Sequence, residues 1–101
     1  MTERHPPQAC ADMAALRRQI DRLDRDLIAL LVERASYIDR AIALKTENGW
    51  PARIPDRVEE VVMNARTAAA AKGLDPDLIE VIWRQLVEWS IAREARVIRE
   101  E

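Results

Sequence analysis

Residues 13–47 read MAALRRQIDRLDRDLIALLVERASYIDRAIALKTE, without a single glycine or proline. Apolar side chains recur at Leu16, Ile20, Leu23, Leu27, Leu30, Leu31, Ile38, Ile42 and Leu44. These are steps of three and four, the period of a helix. The spacing predicts one uninterrupted helix, roughly 50 Å long at the usual rise per residue. Such a rod is longer than a compact domain of about 100 residues is wide. Its stripe must find partners along the whole length, and a second copy of the chain is the obvious supplier. Asp12 stands where an N-cap belongs.

On the N-terminal side, residues 1–11 contain His5-Pro6-Pro7-Gln8 and no apolar period, which reads as a flexible tail before a helical domain over 12–101. Downstream, Asn48-Gly49-Trp50-Pro51 ends the long helix and Pro55 is a second breaker, so 48–55 is expected to be a loop. A second helix should start near Asp56, place Val58, Val61, Val62, Ala65 and Ala69 on one face, and stop at Lys72-Gly73. Asp75-Pro76 is a start signal, an N-cap followed by proline at the first helical position. The third helix is expected to run to about Ile98, with Ile79, Ile82, Trp83, Leu86, Val87, Trp89 and Ile91 in its stripe. The expected fold is all-α, with three helices per chain, one of them very long. The three tryptophans read as packing residues.

Bulk composition narrows the function classes. Sixteen basic and 18 acidic side chains, mixed along 101 residues, leave a net charge of −2. No basic arm or stripe points to nucleic acid. No uncharged run approaches the length that spans a bilayer, and no signal-peptide pattern opens the chain, so the cytoplasm is the expected location and no membrane partner is expected. One cysteine, Cys10, excludes an internal disulfide or a cysteine metal cluster, and the one histidine, His5, sits in the Pro-rich tail. Metal and histidine chemistry therefore have little to work with, and no cofactor is expected.

The charges that interrupt the stripes are more informative. Arg34 falls on the same heptad position as Ile20, Leu27 and Ala41, and Lys45 on that of Leu31 and Ile38. Eleven residues is about three turns, so the two cations project the same way. Cations on a buried face need anions. They fit structural ion pairs between subunits, or side chains snorkelling to an edge, as well as they fit an anion-binding site. Arg17 points roughly 100° away from Arg34; it reads as a surface arginine or as a group serving a pocket on another subunit. Ser90 and Glu94, four apart beside Val87 and Ile91, read as a satisfied core pair or as site residues. Arg57 reads as a solvated charge near a helix N-terminus or as an anion binder.

Four segments in order carry a resemblance. Leu16-Arg17-Arg18-Gln19-Ile20-Asp21-Arg22-Leu23-Asp24, then Leu30-Leu31-Val32-Glu33-Arg34 with Lys45 eleven residues on, then Pro51-Ala52-Arg53-Ile54-Pro55-Asp56-Arg57, then Leu86-Val87-Glu88-Trp89-Ser90-Ile91-Ala92-Arg93-Glu94 resemble the all-helical chorismate mutase family over roughly residues 12–98. The resemblance implies two chains intertwined into a six-helix homodimer with two equivalent sites. It implies rearrangement of chorismate to prephenate, in aromatic amino acid biosynthesis, without metal or cofactor. By the same resemblance, Arg34 binds a substrate carboxylate within its own chain and Arg17 reaches a carboxylate in the other subunit's site. Lys45 contacts the ether oxygen and a carboxylate, and Arg57 helps hold the side-chain carboxylate. Ser90 lies near the ring carboxylate, Val87 and Ile91 pack on the ring, and Glu94 flanks the ether oxygen.

The chemistry suits this set. The rearrangement is unimolecular and needs no nucleophile or proton transfer. It needs the enolpyruvyl arm folded over the ring and charge stabilised on the ether oxygen as the bond breaks. Glu94 complicates that picture, because a carboxylate anion cannot donate to the ether oxygen whereas the protonated acid can. Activity is therefore expected to fall as pH rises. The match departs at Ile54 and Val58, apolar residues where family members carry acidic groups toward the ring hydroxyl. That departure resembles the sister activity, isochorismate–pyruvate lyase, which is the alternative reading. An amino analogue of chorismate is a third substrate, and a non-catalytic helical dimerisation or regulatory module is a different class. The complete cation set Arg17, Arg34, Lys45 and Arg57 argues for a catalytic role.

Overall fold

A computed structural model describes residues 4–101. Among them are three α-helices and no strand: α1 over Met13–Asn48, α2 over Pro55–Ala71 and α3 over Pro76–Glu94. The chain divides into two units, Met1–Tyr37 and Ile38–Glu101, and α1 contributes to both.

In the first unit, the Asp12 carboxylate accepts from the Ala15 amide at 2.8 Å and caps α1 as the sequence suggested. The first three residues of the expected tail lie outside the described residues. The remainder carries more local structure than its composition indicated. Pro7–Ala9 form a 3-10 turn, the His5 amide donates to Gln19 Oε1 at 3.0 Å, and Arg4 pairs with Asp26 at 2.6 Å. Asp26 is the one buried residue of α1, and a buried carboxylate needs such a cation. The α1 stripe, by contrast, is open: Leu23 is 40% exposed, Ile20 47% and Leu27 50%.

In the second unit α2 packs on α3. Val62, Ala69 and Ile79 are buried, and Ala52, Val87 and Ile91 form a core cluster against which Val58, Val61 and Ile98 pack. Both helix ends before the loops are closed in the same way. Gly73 takes a φ of 76°, its amide donates to Ala70 and that of Leu74 to Ala69. Gly49, at φ 71°, does the same with Thr46 while Trp50 reaches back to Lys45. This double closure needs a left-handed residue after the last turn, which glycine adopts without a Cβ clash. Asp75 caps α3 by accepting from the Asp77 amide at 2.9 Å.

Two expectations are corrected. Pro55 opens α2 instead of lying in the loop, because a proline costs nothing at a position whose amide has no helical partner. The third helix stops at Glu94 and not near Ile98. The chain beyond it turns so that the carbonyls of Arg99 and Glu100 accept from the amides of Ala52 and Arg53. Trp50 and Trp89 are about half exposed in the chain, at 53% and 49%; Trp89 carries the Arg93 guanidinium over its ring at 5.4 Å.

Surface ion pairs decorate the unit. Arg84 joins Glu59 to Glu80, Arg66 joins Asp77 to Glu80, and Arg93 holds Asp39. The hydrogen bonds from Arg84 and Arg93 hold the Glu59 and Asp39 carboxyls below their ordinary values of 4.5 and 3.8. A depressed carboxyl stabilises the fold above its unfolded value and loses that contribution as pH falls through the folded one. The melting temperature of Arg84→Ala should therefore lie slightly below wild type at neutral pH and converge with it as pH falls through the depressed folded value of Glu59. A gap that persists in acid would show that Arg84 acts through packing instead.

Candidate active site

Lys45 sits in the last turn of α1 and Glu94 at the end of α3, and the structure brings them together. Lys45 Nζ lies 2.7 Å from Glu94 Oε1, with the two side chains 18% and 5% exposed. The directed hydrogen bond of the ammonium goes elsewhere, to the Ala52 carbonyl at 2.8 Å. Glu94 Oε1 is thus buried beside a charge yet has no aligned hydrogen-bond partner among the described residues. A buried oxygen in that condition is costly unless something completes it. The anion demanded by a cation on the α1 stripe is Glu94.

Val87, Ser90 and Ile91 are buried on the same α3 as Glu94. Ser90 Oγ donates to the Leu86 carbonyl at 2.8 Å, one turn back; a mid-helix serine commonly bonds in this way. Val87 and Ile91 belong to the core cluster that includes Ala52. An apolar wall, a buried carboxyl and an ammonium therefore converge near the start of the 49–54 loop. Arg57, at the start of α2, is 62% exposed along its side chain and is engaged by Glu60 one turn on. Arg34 is half-buried and Arg17 exposed, both on the part of α1 that belongs to the first unit. Ile54 and Val58 are half-buried, and Val58 rests against the core cluster.

The sequence reading singled out Arg57, and the structure reveals more at the nearby Arg53. Its guanidinium forks onto Glu88 with two bonds of 2.8 Å and reaches Glu100 at 3.0 Å. These hydrogen bonds raise the Arg53 pKa and depress that of Glu88. The Ala52 carbonyl was also unforeseen, since a main-chain acceptor leaves no trace in residue identity. No group of His, Cys, Asp or Glu side chains suited to a metal occurs among the described residues, and none of the helices is long and apolar enough to cross a membrane.

An all-helical chain carrying a buried lysine–glutamate pair on an apolar wall defines a recognisable class, and comparison with known proteins makes it specific. The profile of the chorismate mutase type II family matches residues 16–95, and the chain belongs to that family. It is 34% identical over 84 residues to the T-protein of Enterobacter agglomerans, covering 83% of this chain and 22% of that one. It is 32% identical to the isochorismate pyruvate lyase of Pseudomonas aeruginosa, covering 93% of this chain and 92% of the lyase. A bifunctional chorismate mutase/prephenate dehydratase of Aquifex aeolicus is 22% identical, over 85% of this chain and 25% of the relative. The chain thus spans about a fifth of the T-protein and nearly all of the lyase.

Proposed function

We propose that the chain is a chorismate mutase, an isomerase that converts chorismate to prephenate in aromatic amino acid biosynthesis and works as an intertwined homodimer over residues 12–101. The observation that carries the reading is the buried Lys45–Glu94 contact beside Val87 and Ile91, in which Glu94 Oε1 lacks an aligned partner among the described residues. An ammonium has three donors. One serves Ala52 and a second faces Glu94, which leaves a third for the ether oxygen. Arg34 would clamp one substrate carboxylate bidentately. Arg57 would exchange Glu60 for the side-chain carboxylate, a cheap exchange at an exposed ion pair. Ser90 would lie at the ring carboxylate, and Val87 and Ile91 would form the face on which the ring lies. Arg17 would come from the partner subunit, a role that its exposure and its angular offset from Arg34 both suit. No cofactor, metal, nucleic acid or membrane enters this scheme. Every group acts by position and charge, which accelerates the step only where it favours the transition state over the substrate.

Glu94 supplies a test of its own. As an acid it donates to the developing oxyanion, and as an anion it repels it. The amide of Glu94→Gln donates at every pH, so the variant is expected to show a flatter pH profile of turnover than wild type. Superimposable wild-type and variant profiles would remove Glu94 from the ether oxygen.

The lyase reading rests on two observations: the near full-length match to the Pseudomonas protein, and apolar Ile54 and Val58 toward the expected ring hydroxyl. Incubation of the purified protein with chorismate and separately with isochorismate, with products identified by NMR, decides between them. Prephenate from chorismate supports the mutase. Pyruvate and salicylate from isochorismate transfer the assignment to the lyase. No turnover of either leaves the amino analogue or a non-catalytic module.

A further inference from the structure

Lys45 is held by two anchors that come from different parts of the second unit. One is Glu94 on α3; the other is the Ala52 carbonyl in the loop before α2. A loop carbonyl fixes an ammonium only as well as the loop itself is fixed. Ala52 is 3% exposed in the core cluster, and its amide donates to the Arg99 carbonyl at 2.9 Å. The next amide, of Arg53, donates to the Glu100 carbonyl at 2.7 Å. The Arg53 side chain then forks onto Glu88 of α3 and adds the Glu100 carboxylate.

We infer that Arg53, through its clamp on Glu88 and Glu100, is a positioning residue that sets the Lys45 ammonium for the reaction; the inference rests on the proposed role of Lys45. Glu88 and Glu94 lie on one helix. The Arg53–Glu88 fork therefore ties the loop to the same rigid element that carries the other anchor of Lys45. Both contacts of the ammonium are referenced to α3, and the C-terminal segment closes the loop from its other side. A bidentate guanidinium–carboxylate pair suits this task because it fixes orientation as well as distance. Part-exposed ion pairs add little to stability, so the effect of the clamp should fall on geometry far more than on folding.

The test uses Arg53→Ala, Arg53→Lys and Glu88→Gln in the full chain. Steady-state kinetics are combined with NMR hydrogen exchange at the Ala52 and Arg53 amides. In Arg53→Ala, loss of alignment at Lys45 should lower kcat on the order of 10-fold. KM should stay within about 2-fold, because the carboxylate-binding arginines are untouched. The two loop amides should exchange faster, while those of Val87 and Ile91 within α3 keep their protection. Arg53→Lys should recover part of the turnover, and Glu88→Gln should show a smaller loss in the same direction. Unchanged loop exchange in Arg53→Ala, or faster exchange with unchanged kcat, would overturn the inference. If Arg53→Ala does not fold, the same two criteria apply to Glu88→Gln. Absence of wild-type turnover of chorismate fails the mutase reading alone. The clamp is then judged by loop exchange and by kcat on whichever substrate the protein does turn over, and slow loop exchange that survives loss of the fork fails the clamp.

Discussion

Lys45→Ala is expected to lower the turnover of chorismate by about 10²–10³-fold, the range seen when one preorganised donor to a developing oxyanion is removed. The structure also predicts a separate loss of stability. Glu94 is buried, and Lys45 is the cation that meets it, at 2.7 Å. Taking away one partner of a buried pair leaves an uncompensated charge, which costs about 3–5 kcal/mol where burial is deep. Two effects of one substitution would be confounded, so the second variant is the double change Lys45→Ala with Glu94→Gln. A neutral amide in place of the stranded carboxylate should return much of the melting temperature while turnover stays low. Differential scanning calorimetry and the prephenate assay on the same samples separate the two. Recovery of turnover together with stability would mean that Lys45 holds the fold and that another group stabilises the oxygen.

Leu27→Glu should dissociate the proposed homodimer or unfold it. In a single chain Leu27 is 50% exposed on the α1 stripe, and a substitution at such a position ordinarily shifts stability by only about 0.5 kcal/mol. The dimer reading gives a different magnitude. Two-fold symmetry repeats the change in each subunit. Burial of a leucine side chain is worth about 1.5–3 kcal/mol, and burying an unpaired carboxylate in its place adds more. The neighbours Ile20, Leu23, Leu30 and Leu31 are 40–47% exposed in the same way. A continuous apolar face of this kind marks an interaction surface. Sedimentation velocity and thermal melting at assay concentration give the answer. A variant that melts and sediments like wild type would show that the stripe faces solvent in solution and would remove Arg17 from the site.

The sequence was informative where local physics decides and silent where distant segments meet. The long helix, the Asp12 and Asp75 caps and the glycine at the end of α2 are legible because each depends on residues within one or two turns. The need of Lys45 for an anion was legible from its place in an apolar stripe, and Glu94 was a candidate from its own helix. Their meeting depends on tertiary packing. Arg53 and Arg57 illustrate the limit. They stand four apart near the same loop, and nothing local to them tells which is tied down. The difference lies in Glu88 and Glu100, 35 and 47 residues further along the chain. The early end of α3 was equally hidden. No glycine or proline marks it, and what it permits is main-chain pairing with Ala52 and Arg53.

The Ala52 carbonyl has one more implication, for how such a protein can diverge. Every residue carries a carbonyl, so replacing side chains in the loop leaves the acceptor for Lys45 in place as long as the backbone path persists. On the proposed reading, a change at Ile54 would alter which ring is admitted while the lysine stays where it is. A scaffold anchored in this way can retain its chemistry-bearing cation across a change of substrate. That agrees with a single chain matching relatives named for a mutase and for a lyase.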